Sequence, residues 1–138
     1  MDCLFCSIAQ KKKDAYVVYE DDTVVAVLDV LPCAEGHSLV LPRRHAQTIL
    51  DLDAEYLGKV FGGVQRVTEL LLRTLKPHGF TIGINHGKAG GQAIEHLHIH
   101  IIPRFEDDGG GSIHSVVHHP PTEQLESVFQ KIVAKGQK

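Results

Sequence analysis

Residues His96 to Pro103 read His-Leu-His-Ile-His-Ile-Ile-Pro. Imidazoles alternate with aliphatic side chains, and alternation is the period of a β-strand, whose successive side chains face opposite ways. The pattern predicts a strand with Leu97, Ile99 and Ile101 turned into a core. His96, His98 and His100 then share the other face, spaced roughly 6.5 Å apart at a rise of ~3.3 Å per residue. Histidine gains little from a strand, and three imidazoles side by side bring no packing advantage. Such a face suggests a metal site, or acyl or phosphoryl transfer. The plainer alternative, a half-exposed strand with polar outward residues, explains one outward histidine better than three.

The rest of the chain bounds what surrounds this strand. With 138 residues, 43% apolar and 22% charged, it reads as one globular domain able to bury a core. A formal charge of −3 argues against a general nucleic-acid-binding surface, but not against one local phosphate site. No apolar run approaches a membrane span, and Lys11 to Lys13 follow the first apolar residues, so no secretory signal is expected. Three cysteines argue against a disulfide framework and for a reducing, cytoplasmic location.

Cys3 to Gln10 reads as a short helical or irregular opening. Ala15 to Glu20 and Thr23 to Leu28 form a predicted hairpin around Asp21-Asp22, and His37 to Pro42 a further strand. Leu57, Val60, Phe61, Val64, Leu71 and Leu75 recur at helical spacing, predicting a helix of about 20 residues packed on a sheet. Asp51 or Asp53 is its natural N-cap, and Pro77 with Gly79 its end. Phe80 to Asn85 reads as a strand, and His86 to Ala93 as a glycine-rich loop leading into the histidine strand. Asp107 to Ser112 has the composition of a flexible linker. Thr122 to Lys135 forms a predicted C-terminal helix with Leu125, Val128, Phe129 and Ile132 on its apolar face. The expectation is α+β: an antiparallel sheet of about five strands, one long helix and a C-terminal helix. The single domain spans residues 1–138, with its core at about 3–104 and a linker and helix at 105–138.

Three further features bear on chemistry. The loop Asn85-His86-Gly87-Lys88-Ala89-Gly90-Gly91-Gln92-Ala93 lets backbone N–H groups approach an anion, though glycines also simply make turns. Cys3-Leu4-Phe5-Cys6 is a C-x-x-C pair. It stands too early for a thioredoxin-like motif, and a zinc reading needs two more ligands; two small buried side chains are the alternative. Asp29 ends an apolar strand before Leu31-Pro32-Cys33. It could accept hydrogen bonds from a vicinal diol or merely cap the turn. Arg104 could meet a distal phosphate or pair with Glu106 or Asp107.

His96 to Ile102 resembles the His-φ-His-φ-His-φ-φ signature of the histidine triad superfamily. Phe5 and Ile8, Val27 to Val30, Gly36 to Pro42 and Asn85 to Gln92 match its spacing too, from about Cys3 to Arg104. The resemblance implies a homodimer that binds a purine nucleotide and cleaves at the α-phosphate. It implies that His98 is the nucleophile, forming a nucleotidyl-histidine, while His100 and His37 contact phosphate and help the leaving group. It implies that Asn85, Gly91, Gln92 and Ala93 hold phosphates, that Asp29 takes the ribose hydroxyls, and that Leu4, Phe5, Ile8, Val27, Val30 and Leu39 line the base pocket. Some members carry Ser or Thr where this chain has Ala93, so one contact to the leaving group is absent. Members with an N-terminal C-x-x-C close a zinc site with two histidines, which implies Cys3, Cys6, His45 and His96. Four ligands with no open position make a structural zinc. It could contribute on the order of 10 kcal/mol to ordering the terminus, as in zinc-finger peptides.

Three readings follow. The first is a hydrolase or transferase acting through His98 on a dinucleoside polyphosphate or phosphoramidate. The second is a zinc hydrolase whose triad histidines ligate a catalytic metal. The third is a nucleotide-binding or scaffold protein with little turnover.

Overall fold

The computed structural model describes residues 3–136. A short helix, α1 (Leu4–Ala9), precedes strands β1 (Val17–Glu20), β2 (Val24–Leu28) and β3 (Ser38–Pro42). The long helix α2 (Ala54–Leu75) follows, then β4 (Gly79–Gly83), β5 (Ile99–Arg104) and α3 (Leu125–Gly136). The strands form one antiparallel sheet in the order β1-β2-β3-β5-β4. This is the expected α+β architecture, with five strands and two of the anticipated helices.

Helix α2 starts where Asp53 accepts a hydrogen bond from Tyr56 N–H at 2.8 Å. Asp51, the other candidate cap, instead braces Thr48 in a preceding helical turn, accepting from its N–H at 3.0 Å. Val60, Val64, Val67 and Leu71 bury one stripe of α2 against Val24, Ala26, Val40, Leu97, Ile99 and Ile101. Gly63 permits that approach: a Cβ there would stand 2.6 Å from Val24 Cγ2. The helix ends at Lys76, which takes the left-handed conformation (φ 51°) and donates its N–H to Leu72 C=O at 3.1 Å, with Pro77, which cannot continue a helix, next in the chain. Gly79 is therefore not part of the stop but the first residue of β4.

The other face of the sheet carries a second apolar cluster. Phe5, Ile8 and Ala9 of α1 pack on Val25, Val27, Leu39 and Leu41. Two faces, two coverings: α2 packs on one across β1, β2, β3 and β5, and α1 covers only part of the other.

Several boundaries differ from the sequence reading. The ladder of β5 begins at Ile99, so His96, Leu97 and His98 lie outside it. Strand β4 stops at Gly83 rather than Asn85, since His100 is the last β5 residue it pairs with. Helix α3 begins at Leu125, not Thr122. The segment Asp107 to Ser112 is tied down. Arg104 donates to both Asp108 carboxylate oxygens at 2.6 and 3.0 Å and to Gly111 C=O at 2.7 Å. Composition predicted a loose linker; the fork geometry of one guanidinium organises it. Arg104 thus pairs with Asp108 rather than with Glu106 or Asp107.

Candidate active site and metal centre

Alternation delivers the two sides of the histidine segment. Leu97, Ile99 and Ile101 enter the core under α2, and the imidazoles turn to the α1 side. That side is not an open face. His96 is fully buried and His98 is 8% exposed, because Phe5 stands edge-on to both rings at 5.9 and 5.0 Å. The three histidines therefore meet three different environments.

His96 joins the N-terminus. Its Nδ1 lies 3.4 Å from Cys3 Sγ and 3.5 Å from Cys6 Sγ, while His45 Nδ1 lies 3.2 Å from Cys6 Sγ. The four ligand atoms all fall within 4.8 Å of one another. Such separations suit a tetrahedral ion with bonds of about 2.0 Å to nitrogen and 2.3 Å to sulfur. Two details fit a metal. His96 Nε2 sits 2.9 Å from Pro42 C=O and donates to it, which leaves Nδ1 with its lone pair aimed at the thiols. Cys6 N–H donates to Cys3 Sγ at 3.4 Å, as backbone amides do around a thiolate. Burial lowers the His96 pKa, keeping the ring neutral as a ligand must be. Cys3, Cys6, His45 and His96 can thus hold a metal ion, and a closed N₂S₂ set is the chemistry of zinc.

His98 and His100 turn to a cavity of about 510 Å³. Register builds its floor: Val27 pairs with Leu39, and Leu39 with His100, so one cross-strand row runs from aliphatic wall to imidazole. Phe5 and Ile8 close one side and Asn85, Gly91 and Ala93 the other, with Asp29 and Val30 at the rim.

Hydrogen-bond partners assign the tautomers. His98 Nδ1 lies 2.8 Å from His96 C=O and donates to it, so Nε2 carries the lone pair. His37 Nδ1 accepts the Cys33 amide at 3.2 Å, so its proton is on Nε2, 2.9 Å from His100 Nδ1. His100 must then hold its own proton on Nε2, and that nitrogen is buried without a partner among the described residues. Burial, with the neighbouring His98 and His37, pushes the His100 pKa down to about 4. Burial also lowers that of His37, against the opposing pull of Asp29, whose Oδ2 is 3.4 Å away. The lone pair of His98 Nε2 and the unpartnered N–H of His100 belong to two rings that line one cavity, with centroids 5.1 Å apart.

Most residues singled out in the sequence converge here, with two exceptions. His37 does not line the cavity; it is 5% exposed and stands behind His100. Gln92 turns away from it. Its Oε1 accepts from Gly87 N–H at 2.8 Å and its Nε2 donates to Gln47 C=O at 2.8 Å, bracing the glycine loop. The cavity adds Lys13, Asp14, Ala15, Leu31 and Ile94. Nothing local marks them, since a lysine run reads as a solvated surface. Nor do the three triad imidazoles converge on one catalytic metal: His96 belongs with the thiols, and His98 with neither cluster of ligand atoms.

A five-stranded antiparallel sheet presenting alternating histidines beside a nucleotide-sized cavity defines a histidine triad protein. The chain belongs to that family: the HIT domain model matches residues 10–107. It is 35% identical over 107 residues to adenylylsulfatase HINT3 of Arabidopsis thaliana, covering 78% of this chain and 54% of the plant protein. A solved HIT family protein from Bacillus subtilis superposes with a TM-score of 0.86 at 28% identity, covering 100% of this chain and 97% of that one. A zinc-bound histidine triad protein from Mycobacterium smegmatis matches with a TM-score of 0.74 at 30% identity, covering 99% and 95%.

Proposed function

We propose that this chain is a nucleotide hydrolase or transferase that cleaves purine nucleoside phosphate conjugates at the α-phosphate through His98. The observation carrying this reading is the complementary pair of tautomers: His98 Nε2 bare, His100 Nε2 protonated, both on one cavity. The apolar walls suit a base, and Asp29 Oδ2 at the rim suits ribose hydroxyls. His98 Nε2 attacks phosphorus, the bond to the leaving group breaks, and a nucleotidyl-histidine remains for water to cleave. The His98 Nδ1–H to His96 C=O bond strengthens as that ring gains charge. His100 Nε2–H serves the departing group, and the Ala93 N–H, near Asn85, serves the phosphate oxygens, since the amides of Gly90, Gly91 and Gln92 are spent within their own loop.

The closed Cys3, Cys6, His45, His96 set is read as a structural zinc site. The plant relative's name supports an adenylyl substrate, and the zinc-bound mycobacterial relative supports the metal. Cys3, Cys6 and Cys33 as free thiols support a reducing, cytoplasmic setting. A homodimer is supported by β4, an edge strand, and by α3, whose Leu125, Phe129 and Ile132 are exposed. Among the described residues no helix is long and apolar enough to cross a membrane.

A product-resolved panel of an adenosine phosphoramidate, a diadenosine polyphosphate and adenylyl sulfate tests the reading. His98→Gly should lose at least about a thousandfold in turnover while still binding nucleotide. Near wild-type turnover in that variant refutes the mechanism. Tight nucleotide binding by wild type with negligible turnover on every substrate would favour a binding protein, a reading to which Ala93 lends weight by offering no hydroxyl.

A further inference from the structure

One end of the 510 Å³ cavity carries charge that the steps above leave unused. A single cross-strand row spans the sheet here: Val17 of β1 pairs with Val27, Val27 with Leu39, and Leu39 with His100. Three strand spacings of about 4.8 Å make this roughly 14 Å from end to end. The imidazoles stand at the β5 end. Lys13, Asp14 and Ala15, which lead into β1, line the other. Backbone bonds fix their place. The N–H groups of Lys12 and Lys13 both donate to Ser7 C=O, at 2.8 and 3.3 Å, and Leu28 N–H donates to Tyr16 C=O at 3.0 Å. Within the lysine run, Lys11 is paired with Glu20 at 3.4 Å. The Lys13 ammonium and the Asp14 carboxylate have no ion pair among the described residues.

We propose that Lys13 and Asp14 read the edge of the base and make this site prefer guanine nucleotides to adenine nucleotides. The proposal deepens the nucleotide reading and rests on it. With phosphate at His98 and His100 and ribose at Asp29, the base lies towards β1. Phe5, Ile8, Val27 and Leu39 offer its faces only apolar contact, which either purine accepts alike. Discrimination therefore falls to groups at the edge. Guanine presents one acceptor, O6, beside two adjacent donors, N1–H and the N2 amine. A carboxylate only accepts and can take two such donors together, whereas an ammonium only donates. Asp14 accepts from N1–H and the N2 amine, and Lys13 gives to O6. Adenine answers the same pair less well. Its N1 is an acceptor, which repels a carboxylate, and its C2 carries no donor. Its N6 amine stands where O6 would meet the ammonium.

Lys13 and Asp14 are both exposed, so their bonds to a base compete with water. The preference is accordingly modest, about fivefold, and not the 10⁴-fold or so of a sealed polar pocket. Adenine nucleotides still bind through the apolar walls and the phosphate. These edge contacts lie at the far end from the reacting phosphorus and are made equally in ground and transition states. They enter through KM and leave kcat alone.

Calorimetric titration of the intact protein with guanosine, inosine and adenosine monophosphates tests this without turnover. Wild type should bind the guanosine nucleotide about fivefold more tightly than the adenosine one, with inosine, which lacks the N2 amine, between them. Asp14→Ala should bring guanosine and inosine together. Lys13→Met keeps the aliphatic stem and removes the charge; it should weaken both 6-oxo purines and spare adenosine. Both side chains are exposed, so thermal melts of the two variants should match wild type. Guanosine and adenosine phosphoramidates of one amine should then differ in KM and share a kcat. Adenosine bound as tightly as guanosine by wild type, a guanosine preference intact in both variants, or a preference confined to kcat overturns the base readout. Equal binding of all three nucleotides fells that readout and leaves the nucleotide reading standing; binding of none fells both.

Discussion

Acid should weaken this protein through His100, and the size of the effect can be worked from its surroundings. The ring is held against burial and beside two imidazoles, which moves its pKa from 6.5 to about 4. Between those values the unfolded chain binds the extra proton and the folded chain does not, so stability rises with pH across the window. The contribution is fully present above 6.5 and is lost as the pH falls toward about 4. Taking the pH from about 7.5 to about 4.5 should remove about 2.5 kcal/mol on account of this one group. His37 is lowered too and adds to the same slope. His100→Asn isolates the term, since the amide oxygen can still accept from His37 Nε2–H but cannot titrate. Urea unfolding followed by circular dichroism at both pH values, for both proteins, gives the comparison. The variant should lose about 2 kcal/mol less than wild type on acidification. Parallel losses would refute the argument, because any metal released by acid is released from both proteins alike.

The interface of α2 with the sheet gives a paired test. Gly63→Ala should destabilise by about 1–2 kcal/mol, as its Cβ meets stiff, buried Val24 and overpacking outweighs helix propensity. Gly58→Ala, with nothing within 4 Å, should stabilise by up to about 1 kcal/mol; thermal melts giving both the same sign would contradict this packing. Metal analysis should find about one zinc per chain in unchelated protein and none in a Cys3→Ser, Cys6→Ser double variant. That variant should expose α1 to hydrogen exchange before the sheet, and unchanged exchange in Leu4 to Ala9 would remove the structural role. Asp108→Ala should cost less than about 1 kcal/mol, since the pair is partly exposed, yet speed proteolysis between Phe105 and Ser112. Unchanged cleavage would show that Arg104 does not organise that segment.

How far the chain was legible depends on how far each feature is local. Period alone placed Leu97, Ile99 and Ile101 under a helix and put the imidazoles opposite, because alternation is a property of consecutive residues. It could not tell that the ladder starts at Ile99, since pairing is decided by Val40 on another strand. The Asp53 cap and the α2 stripe were visible for the same local reason, whereas the fork of Arg104 on Asp108 was hidden under a composition that reads as loose. The ligand set joining Cys3 to His96 came from resemblance, not from spacing, for its members lie far apart in sequence and meet only through the fold. His37 shows the limit most clearly. The same motif gave it a place at the phosphate, yet the structure stands it behind His100, with its Nε2 on His100 Nδ1. Identity of a residue announces which proton chemistry is possible; the order in which protons can move is set by which nitrogen faces which.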